Sequence, residues 1–527
     1  MSTSRISGSM SAALSRIGFT DQLLLTPAEM ALADRASIDA GVSGIDLMEA
    51  AGHAVANAVQ RYWSIRPVLV LCGPGGNGGD GFAAARHLAV AGWQVRLASL
   101  CPVAALSGDA AHHASLWHGP VEGFSVSLLN DAQIVVDAIF GSGLSRSVDG
   151  TAGMMIEAMI QRASVICAVD VPSGMDDATG AVLGVAAPAA VTVTFFRKKP
   201  GHLLSPGKTL CGKLEVADIG TPESVFDAIK AEIGKTGERC QTWENGTALW
   251  ESAYPWPHPE GHKYQRGHAL ILGGAKITGA SRLTARAATR VGAGLVTLAA
   301  PKQVWAVYAT ALTGVMVRAL RRDQAGQVNI DFADLLSDVR HNAIAIGPGV
   351  GVGDGTRGAV IGALSTRRAV VLDADALTSF AEEPAILFKA INGPCVLTPH
   401  EGEFARLFDV AGDKLTRARQ AAKTSGAVVL LKGSDTVIAE PGGRAVINSN
   451  APATLATGGS GDVLTGFVTG LLAQGLDPFR AACAATWLHG EVATAFGAGL
   501  IAEDIPDGLP DVLNRLLRIQ TQQEGFG

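Results

Sequence analysis

The chain has 527 residues, of which 48% are hydrophobic and 17% charged, and it contains 64 glycines. This length predicts two or more domains, and a globular balance with many turns is typical of α/β proteins. The formal net charge of −6 argues against nucleic acid as the main partner. No apolar run is long enough to cross a bilayer, so we expect no membrane contact.

The first residues are rich in serine and carry a few arginines, without the apolar core of a signal peptide. We expect residues 1–24 to form a flexible tail, with a transit peptide as the alternative. The seven cysteines are scattered, and no Cys/His cluster has metal-ligand spacing. This pattern favours a reducing compartment and predicts a cytoplasmic protein.

The first ordered part combines helices with a nucleotide-type loop. Residues 27–62 have apolar residues at helical spacing after a start signal at Thr26, and we expect packing helices there. A buried-strand pattern at residues 67–72 runs into the glycine-rich loop 73–81 and then into a helical stretch. This order is the nucleotide-binding arrangement of a doubly wound sheet. Asn77 and Asp80 are unusual in such a loop and point to contact with a ligand or cation, although Asn77 also suits a turn.

Further strands are predicted at residues 93–98, 133–140 and 164–170, and two of them carry an acid at or near the carboxyl end, Asp137 and Asp170. Ligands of open α/β sheets bind at the carboxyl edge of the strands. Either acid alone suits a turn cap, but both acids together with the Asn77 loop predict one shared site.

Three motifs now identify a family: Gly-Pro-Gly-Gly-Asn-Gly-Gly-Asp-Gly at 73–81, Val-Val-Asp-Ala-Ile-Phe-Gly-Ser-Gly-Leu at 135–144, and Ala-Val-Asp-Val-Pro-Ser-Gly at 168–174. Together they resemble the NAD(P)H-hydrate epimerase domain of the YjeF N-terminal type. The resemblance implies a Rossmann-like three-layer sandwich at residues 25–222 and a potassium ion near Asn77, Asp137 and Ser173. The implied substrate contacts are Gly76, Asn77, Gly78, Gly79, Asp80, Gly141, Ser142, Gly143, Leu144, Ser145, Arg146, Ser147 and Asp170.

Within this family resemblance, Asp170 is our candidate acid/base. Two positions depart from the family pattern, because Gly76 and Ala50 stand where the family usually has Asn. Gly76 removes one possible substrate contact and therefore bears on affinity more than on the fold.

Residues 191–196 and 213–220 look like closing strands, and Arg197-Lys198-Lys199 between them is interpreted as a solvated turn. The pattern then breaks down, and alternating prolines precede the next regular strand. We expect a linker with a lead-in strand at residues 223–260.

Strand and helix patterns alternate again in the second half, which predicts a second α/β domain. The strand at residues 369–377 carries two acids at its end, Asp373 and Asp375. Near the carboxyl end, Gly458-Gly459-Ser460-Gly461 leads into Asp462 and an apolar helical run. Glycines allow a backbone to approach a ligand, and a helix start suits phosphate. Asp462 suits a base for a nearby hydroxyl, with a plain N-cap role as the alternative.

The stretch around Asp462 resembles the anion hole and catalytic Asp of the ribokinase-like superfamily. The motifs of the second half resemble the NAD(P)H-hydrate dehydratase domain, which implies a ribokinase-like three-layer sandwich at residues 261–518. The implied contacts to the hydrated dinucleotide are Ala280, Gly349, His400 and Asp462. The implied contacts to ADP or ATP are Lys432, Gly433, Ser434, Asp435, Thr436 and Gly461. Mg²⁺ is the expected companion of the nucleotide, with Glu403 as the acid on its side.

Taken together, the resemblances predict a repair enzyme that epimerises R and S hydrates of NAD(P)H at C6 and dehydrates the S form with ADP or ATP. We also expect a homo-oligomer. Two alternatives stay open. First, small-molecule kinases use the same arrangement of glycines and Asp to phosphorylate their substrates. Second, folds like that of the first half also serve as binding modules without catalysis.

Overall fold

The computed structural model describes residues 20–236, 241–321 and 330–524. They divide into two compact units. The N-terminal unit spans Leu23–Thr242, and the C-terminal unit begins at Trp243 and includes the described residues just before Leu23. Most of the predicted tail, residues 1–24, lies outside the described residues. In the described part of the chain, no helix is long and apolar enough to cross a membrane.

The strands are short and mostly buried. Their bounds are β1 Leu23–Leu24, β2 Val68–Cys72, β3 Val95–Ser99, β4 Val121–Gly123, β5 Ile134–Ala138, β6 Ile166–Val169, β7 Val191–Phe195, β8 Lys213–Ala217, β9 Thr242–Glu244, β10 His268–Leu272, β11 Leu295–Pro301, β12 Met316–Leu320, β13 Ala343–Ile346, β14 Ala369–Leu372, β15 Cys395–Leu397, β16 Val428–Leu431, β17 Val437–Ala439 and β18 Ala445–Ile447.

The helices alternate with these strands. Their bounds are α1 Pro27–Asp39, α2 Gly44–Tyr62, α3 Gly76–Val90, α4 Gly108–Ser115, α5 Gly150–Gln161, α6 Gly207–Leu210, α7 Val225–Thr236, α8 Thr278–Arg290, α9 Trp305–Ala311, α10 Ile330–Ser337, α11 Asp354–Ser365, α12 Ala374–Thr378, α13 Pro384–Ala390, α14 Glu401–Leu407, α15 Lys414–Ser425, α16 Ser460–Ala473, α17 Pro478–Phe496 and α18 Asp504–Glu524.

The N-terminal sheet is parallel throughout, in the order β4-β3-β2-β5-β6-β7-β8. One face is covered by apolar residues of α2, α3 and α4, and the other face by those of α5. The chain starts at β2, moves outward to β4 and returns to β5, so the switch in direction lies between β2 and β5. The loops after these two strands therefore open a crevice at the carboxyl edge.

The C-terminal sheet repeats this principle. Nine of its strands lie in the order β18-β17-β16-β15-β14-β13-β10-β11-β12, parallel from β16 to β12 and antiparallel from β16 to β18. Here the direction switches between β10 and β13. The loops after those strands approach so closely that a Cβ on Gly274 would lie 1.5 Å from the Gly349 carbonyl oxygen. The predicted α/β class with two domains is thus confirmed.

The segment 223–260, which we predicted to be a linker, carries regular structure. Helix α7 stacks Phe226 on Phe196 with ring centroids 5.4 Å apart, inside the N-terminal unit. Trp250 is fully buried in the C-terminal unit, 5.6 Å from the ring of Trp487. Aromatic side chains give this segment apolar area to bury, so its first part packs within the N-terminal unit and its last part packs within the C-terminal unit. The boundaries 25–222 and 261–518 stay predictions.

Candidate functional site

A cavity of about 580 Å³ lies at the carboxyl edge of the N-terminal sheet. Of the predicted substrate residues, its lining includes Gly76, Asn77, Asp80, Gly141, Ser142, Gly143, Leu144, Ser145, Arg146 and Asp170. The structure thus brings the loops after β2 and β5 together with Asp170, which follows β6. Convergence at the strand ends is the reason, because the switch in direction lies between β2 and β5.

Three predicted contacts have other surroundings. A Cβ on Gly78 would lie 2.0 Å from the Gly73 carbonyl oxygen, and one on Gly79 would lie 2.4 Å from the Met48 sulfur. These two glycines permit α3 to pack closely, and Ser147 lies beyond the lining. Their contact with a substrate stays a prediction.

Asp137 and Ser173 contact each other, and neither is part of the cavity lining. Both are completely buried, and the Ser173 hydroxyl and backbone N–H donate to the Asp137 carboxylate at 2.6 and 2.9 Å. Burial raises the pKa of Asp137, although these hydrogen bonds oppose the increase. Asn77 lies beside Gly141, and both polar atoms of its buried amide lack a hydrogen-bond partner within the described residues.

Asp170 is held more tightly than the sequence suggests. Its φ is +65°, and its Oδ1 accepts from Lys199 Nζ at 2.5 Å and from the Thr194 hydroxyl at 2.9 Å. Its Oδ2 accepts the backbone N–H of Ser142 at 3.0 Å. Burial raises the pKa of Asp170, but Lys199, His202 and the Thr194 hydroxyl together outweigh burial, and the net shift is downward. Asp170 therefore anchors the 141–147 loop as an ionised carboxylate.

Lys199 corrects the interpretation of residues 197–199 as a solvated turn. Only 1% of Lys199 is exposed, and it lines the cavity beside Asp170. The Lys199 backbone N–H donates to His202 Nδ1, so the opposite nitrogen, Nε2, carries the proton and donates to the Asp170 carbonyl at 2.9 Å. Burial, helped by Lys199, lowers the pKa of His202 to about 4. Lys199 follows the carboxyl end of β7, so the edge rule that selected Asp170 would also have selected it.

In the C-terminal unit, Asp462 lies in the first turn of α16, whose N-cap is Gly459 at φ +91°. This confirms the predicted helix start, whose first N–H groups have no partner within the helix and suit an anion. Ser460, the first residue of α16, is fixed through its carbonyl, which accepts from Nε2 of the buried His489 at 3.0 Å.

The Asp462 carboxyl makes no hydrogen bond or ion pair within the described residues. Burial raises its pKa to about 7, Asp373 adds to the increase and Lys432 opposes it. The Lys432 ammonium group instead donates to Asp373 Oδ1 at 2.7 Å, and it lies 3.9 Å from a carboxylate oxygen of Glu403. The Thr465 hydroxyl, one turn after Asp462, holds the other Asp373 oxygen at 2.7 Å.

The other predicted dinucleotide contacts, Ala280, Gly349 and His400, lie in three different environments. The Thr284 hydroxyl is within hydrogen-bond distance of the carbonyls of Ala280 and Asp462, at 3.1 and 3.0 Å, which ties these two residues together. Gly349 lines a neighbouring cavity of about 500 Å³ with Asp375. His400 caps α14, where its Nδ1 accepts from the backbone N–H groups of Gly402 and Glu403.

Five of the predicted nucleotide residues, Lys432 to Thr436, form a loop after β16 that is held by its own hydrogen bonds. The Thr436 hydroxyl accepts from the Gly433 N–H and donates to the Gly433 carbonyl, at 3.1 and 2.8 Å. Asp435 is buried against Lys414 at 2.7 Å, while Gly433 and Ser434 are exposed. Asp435 and Thr436 thus shape the loop, and the side chain of Lys432 reaches back toward Gly461 and Asp373.

Sequence reasoning noted Asp373 without assigning it a role, and it missed Thr465 and Lys414. Asp373 directly follows the carboxyl end of β14, at the edge where ligands of open α/β sheets bind, which was the available signal. The contact between Asp373, Lys432 and Thr465 joins residues 33 to 92 positions apart, and no local pattern encodes it.

Two family models match the chain. The model described as NAD(P)H-hydrate dehydratase matches residues 269–510, and the model described as YjeF-related protein N-terminus matches residues 44–201. The bifunctional NAD(P)H-hydrate repair enzyme Nnr of Moorella thermoacetica is 37% identical over 94% of this chain and 97% of its own length. The enzyme of the same name from Salinibacter ruber is 37% identical over 93% of this chain and 96% of its own length.

A solved structure described as ADP/ATP-dependent NAD(P)H-hydrate dehydratase from Bacillus subtilis, co-crystallised with ATP/Mg²⁺, is 31% identical. The match covers 52% of this chain and 98% of that chain, with a TM-score of 0.45.

Proposed function

Because the chain belongs to the family of bifunctional NAD(P)H-hydrate repair enzymes, we propose that it restores damaged nicotinamide nucleotides. The N-terminal unit interconverts the R and S hydrates at C6. The C-terminal unit removes water from the S hydrate at the expense of ADP or ATP. One observation carries the proposal: Asp462 lies in the first turn of a glycine-led helix, burial raises its pKa to about 7, and its carboxyl has no hydrogen-bond partner among the described residues.

The dehydration needs a better leaving group than hydroxide. Asp462 takes the proton of the C6 hydroxyl as that oxygen attacks the terminal phosphoryl group of the nucleotide. The N-terminus of α16 faces the developing negative charge. The nucleotide leaves without its terminal phosphoryl group, as AMP or ADP. The phosphate then leaves C6, driven by the lone pair of the ring nitrogen, and loss of a proton from C5 restores the dihydropyridine. A base works best with a pKa near the working pH, which is where the surroundings place Asp462.

We propose that the loop 432–436 binds the adenine nucleotide. Exposed Gly433 and Ser434 offer backbone to the adenine nucleotide, and Lys432 brings positive charge next to Gly461. Mg²⁺ is usually held by phosphates with one or two carboxylates, and Glu403 is the carboxylate that we propose on that side. When bound, the ion neutralises phosphate charge.

The potassium site rests on Asn77, Asp137 and Ser173. The buried Asn77 amide fits a cation, because its oxygen is a hard donor that accepts no hydrogen bond from the part of the chain that the structure describes. The Asp137 carboxylate and the Ser173 oxygen add donors of the same kind, and a weakly charged ion suits a set with one carboxylate. A bound potassium ion would neutralise part of the charge of Asp137 and of a substrate phosphate.

The test is to incubate the protein with a mixture of hydrate epimers and either ADP or ATP while following the absorbance of the reduced ring. Return of the absorbance for both epimers is the expected result. Accumulation of a stable phosphorylated product would instead identify a small-molecule kinase. Clearance of the S form alone would leave the N-terminal unit as a binding module.

A fragment test separates the two activities. A fragment that begins at Thr242 keeps Trp250 and the Asn245 amide, which donates to Asn448 and to the Cys483 carbonyl at 2.8 Å each. It should dehydrate the S hydrate and leave the R hydrate untouched. A fragment that begins near Glu260 lacks these contacts and should be markedly less stable, since loss of a buried Trp costs about 3–5 kcal/mol.

A further inference from the structure

The N-terminal cavity gathers more carboxyl groups than cations. Its lining includes Asp34, Asp80, Asp109 and Asp170, against Lys199 and Arg146. Lys199 is committed to Asp170 at 2.5 Å. A second carboxylate close to a paired one is not compensated, so at least one of these acids is expected to keep its proton near neutral pH.

Asp80 differs from Asp170 in its bonding. Both oxygens of Asp170 accept hydrogen bonds, from Lys199 and Thr194 on one side and from Ser142 on the other. Asp80 lies half-buried in the first turns of α3 and lines the cavity, yet it makes no hydrogen bond or ion pair within the described residues. Its carboxyl group is thus available to a bound molecule, whereas that of Asp170 is occupied by the protein.

We propose that Asp80 is the proton-transfer residue of the epimerisation and that it acts as a neutral carboxylic acid, with Asp170 and Lys199 as positioning residues. The inference rests on the epimerase activity proposed above. The proposal takes ring opening, rather than loss and return of water, as the route at C6.

The hydrate is a cyclic hemiaminal, so its hydroxyl oxygen and ring nitrogen N1 are both bonded to C6. The carbonyl oxygen of a neutral carboxyl accepts the proton of the C6 hydroxyl, while its O–H gives a proton to N1. The C6–N1 bond breaks with its electron pair on N1, and C6 becomes an aldehyde carbon. After rotation, N1 attacks the other face, its proton returns to the carboxyl, and the oxygen regains a proton. No atom is gained or lost.

The charges around Asp80 favour the neutral form. Burial raises the pKa of Asp80 well above its usual range, Asp170 and Asp34 raise it further, and Lys199 opposes the increase. Asp109 and Arg146 are the other charged groups of the lining. Because the reaction needs the protonated carboxyl, the epimerisation rate should fall as pH rises through the pKa of Asp80. A base role for Asp170 predicts the opposite slope, since the rate would rise with pH through its lowered pKa and then stay flat.

The experiment uses the full-length protein without nucleotide, so that dehydration cannot proceed, and follows interconversion of a purified hydrate epimer by chromatography. Asp80→Asn should lose about 10²–10⁴-fold in rate, with Asp80→Glu restoring part of it. Asp170→Asn should chiefly raise KM, because it releases the 141–147 loop. Asp227→Asn, the same side-chain replacement at an exposed site on α7, is the matched control. Thermal unfolding and circular dichroism of each variant, compared with the wild type, check that the N-terminal unit is folded, because dehydration reports only on the C-terminal unit.

The wild-type protein in H₂¹⁸O gives a second, independent measurement. Ring opening retains the C6 oxygen during epimerisation, whereas loss and return of water inserts one ¹⁸O for each event. Retention with a rate that falls at high pH supports the proposal. Insertion of ¹⁸O, near-normal turnover by Asp80→Asn, or an equal loss in Asp34→Asn would overturn it. If the wild-type protein does not interconvert the epimers at all, the epimerase function itself fails, which is a distinguishable result.

Discussion

The two units place an aspartate at the same kind of position and then treat it in opposite ways. Asp170 follows β6 and is bonded by Lys199, so its pKa falls. Asp462 follows a glycine loop, and its nearest lysine, Lys432, is bonded to Asp373, so burial dominates and the pKa rises to about 7. Proton chemistry is therefore expected where the local cation is engaged by another acid. An aspartate that pairs with the local lysine stays ionised and positions the site, whereas an aspartate beside a lysine that pairs with another acid is suited to proton transfer.

Removal of the carboxylate at Asp462 should give the largest effect. Asp462→Asn keeps size and polarity but cannot take a proton, so dehydration of the S hydrate should fall about 10²–10⁴-fold. Nucleotide binding, followed by titration calorimetry, should stay close to that of the wild type. Near-normal turnover by a folded variant would contradict the assignment and the comparison with Asp170.

The next test addresses the buried carboxylate of the other unit. Asp137→Ala removes the acceptor for the Ser173 N–H and hydroxyl, and with it a proposed potassium donor. Epimerisation should fall about 10–100-fold and lose its dependence on potassium, as expected when a metal site is damaged. Dehydration of the S hydrate should be unchanged. If the variant epimerises at the wild-type rate with and without potassium, the proposed potassium site at Asp137 is wrong.

Replacement of the engaged lysine tests the comparison itself. Lys432→Met leaves Asp373 and Glu403 without their cation, so the pKa of Asp462 should rise. A base is active when deprotonated, so the wild-type kcat for dehydration should increase with pH through about 7. The variant should shift that midpoint upward by about 1–3 pH units. Lys432→Arg, which keeps the charge, is the control, and an unmoved midpoint in Lys432→Met would show that the lysine does not tune Asp462.

The smallest effect is expected at the family departure in the N-terminal cavity. A Cβ on Gly76 would find only the Met48 methyl carbon within 4.0 Å, so the structure has room for the Asn that the family usually carries. Gly76→Asn should lower the KM of epimerisation about 2–10-fold, the value of one added hydrogen bond. Gly76→Ala is the matched control, and an equal change in both variants would exclude a specific amide contact.

Much of the fold was readable before the structure. The strands ending at Cys72, Ala138 and Val169 coincide with buried-strand patterns, because apolar runs between glycine loops leave few alternatives. The same pattern predicted the helix that begins at Ser460. The strand predicted at residues 369–377 was too long, since β14 ends at Leu372 and a helix begins at Ala374. The segment 223–260 was harder, since its prolines suggested a linker while Phe226 and Trp250 carry enough apolar area to pack.

The sequence by itself determined which glycine loops follow strands and which acids lie at or near strand ends, since apolar runs and glycine spacing are local signals. Only the tertiary structure decided which lysine pairs with which acid. Lys199 reaches Asp170 over 29 positions and Lys432 reaches Asp373 over 59. Those pairs set the direction of each pKa shift, because charge interactions act through space and burial is a property of the packed chain. Lys199, interpreted from sequence as solvated, is the clearest case, since its burial follows from packing at the end of β7.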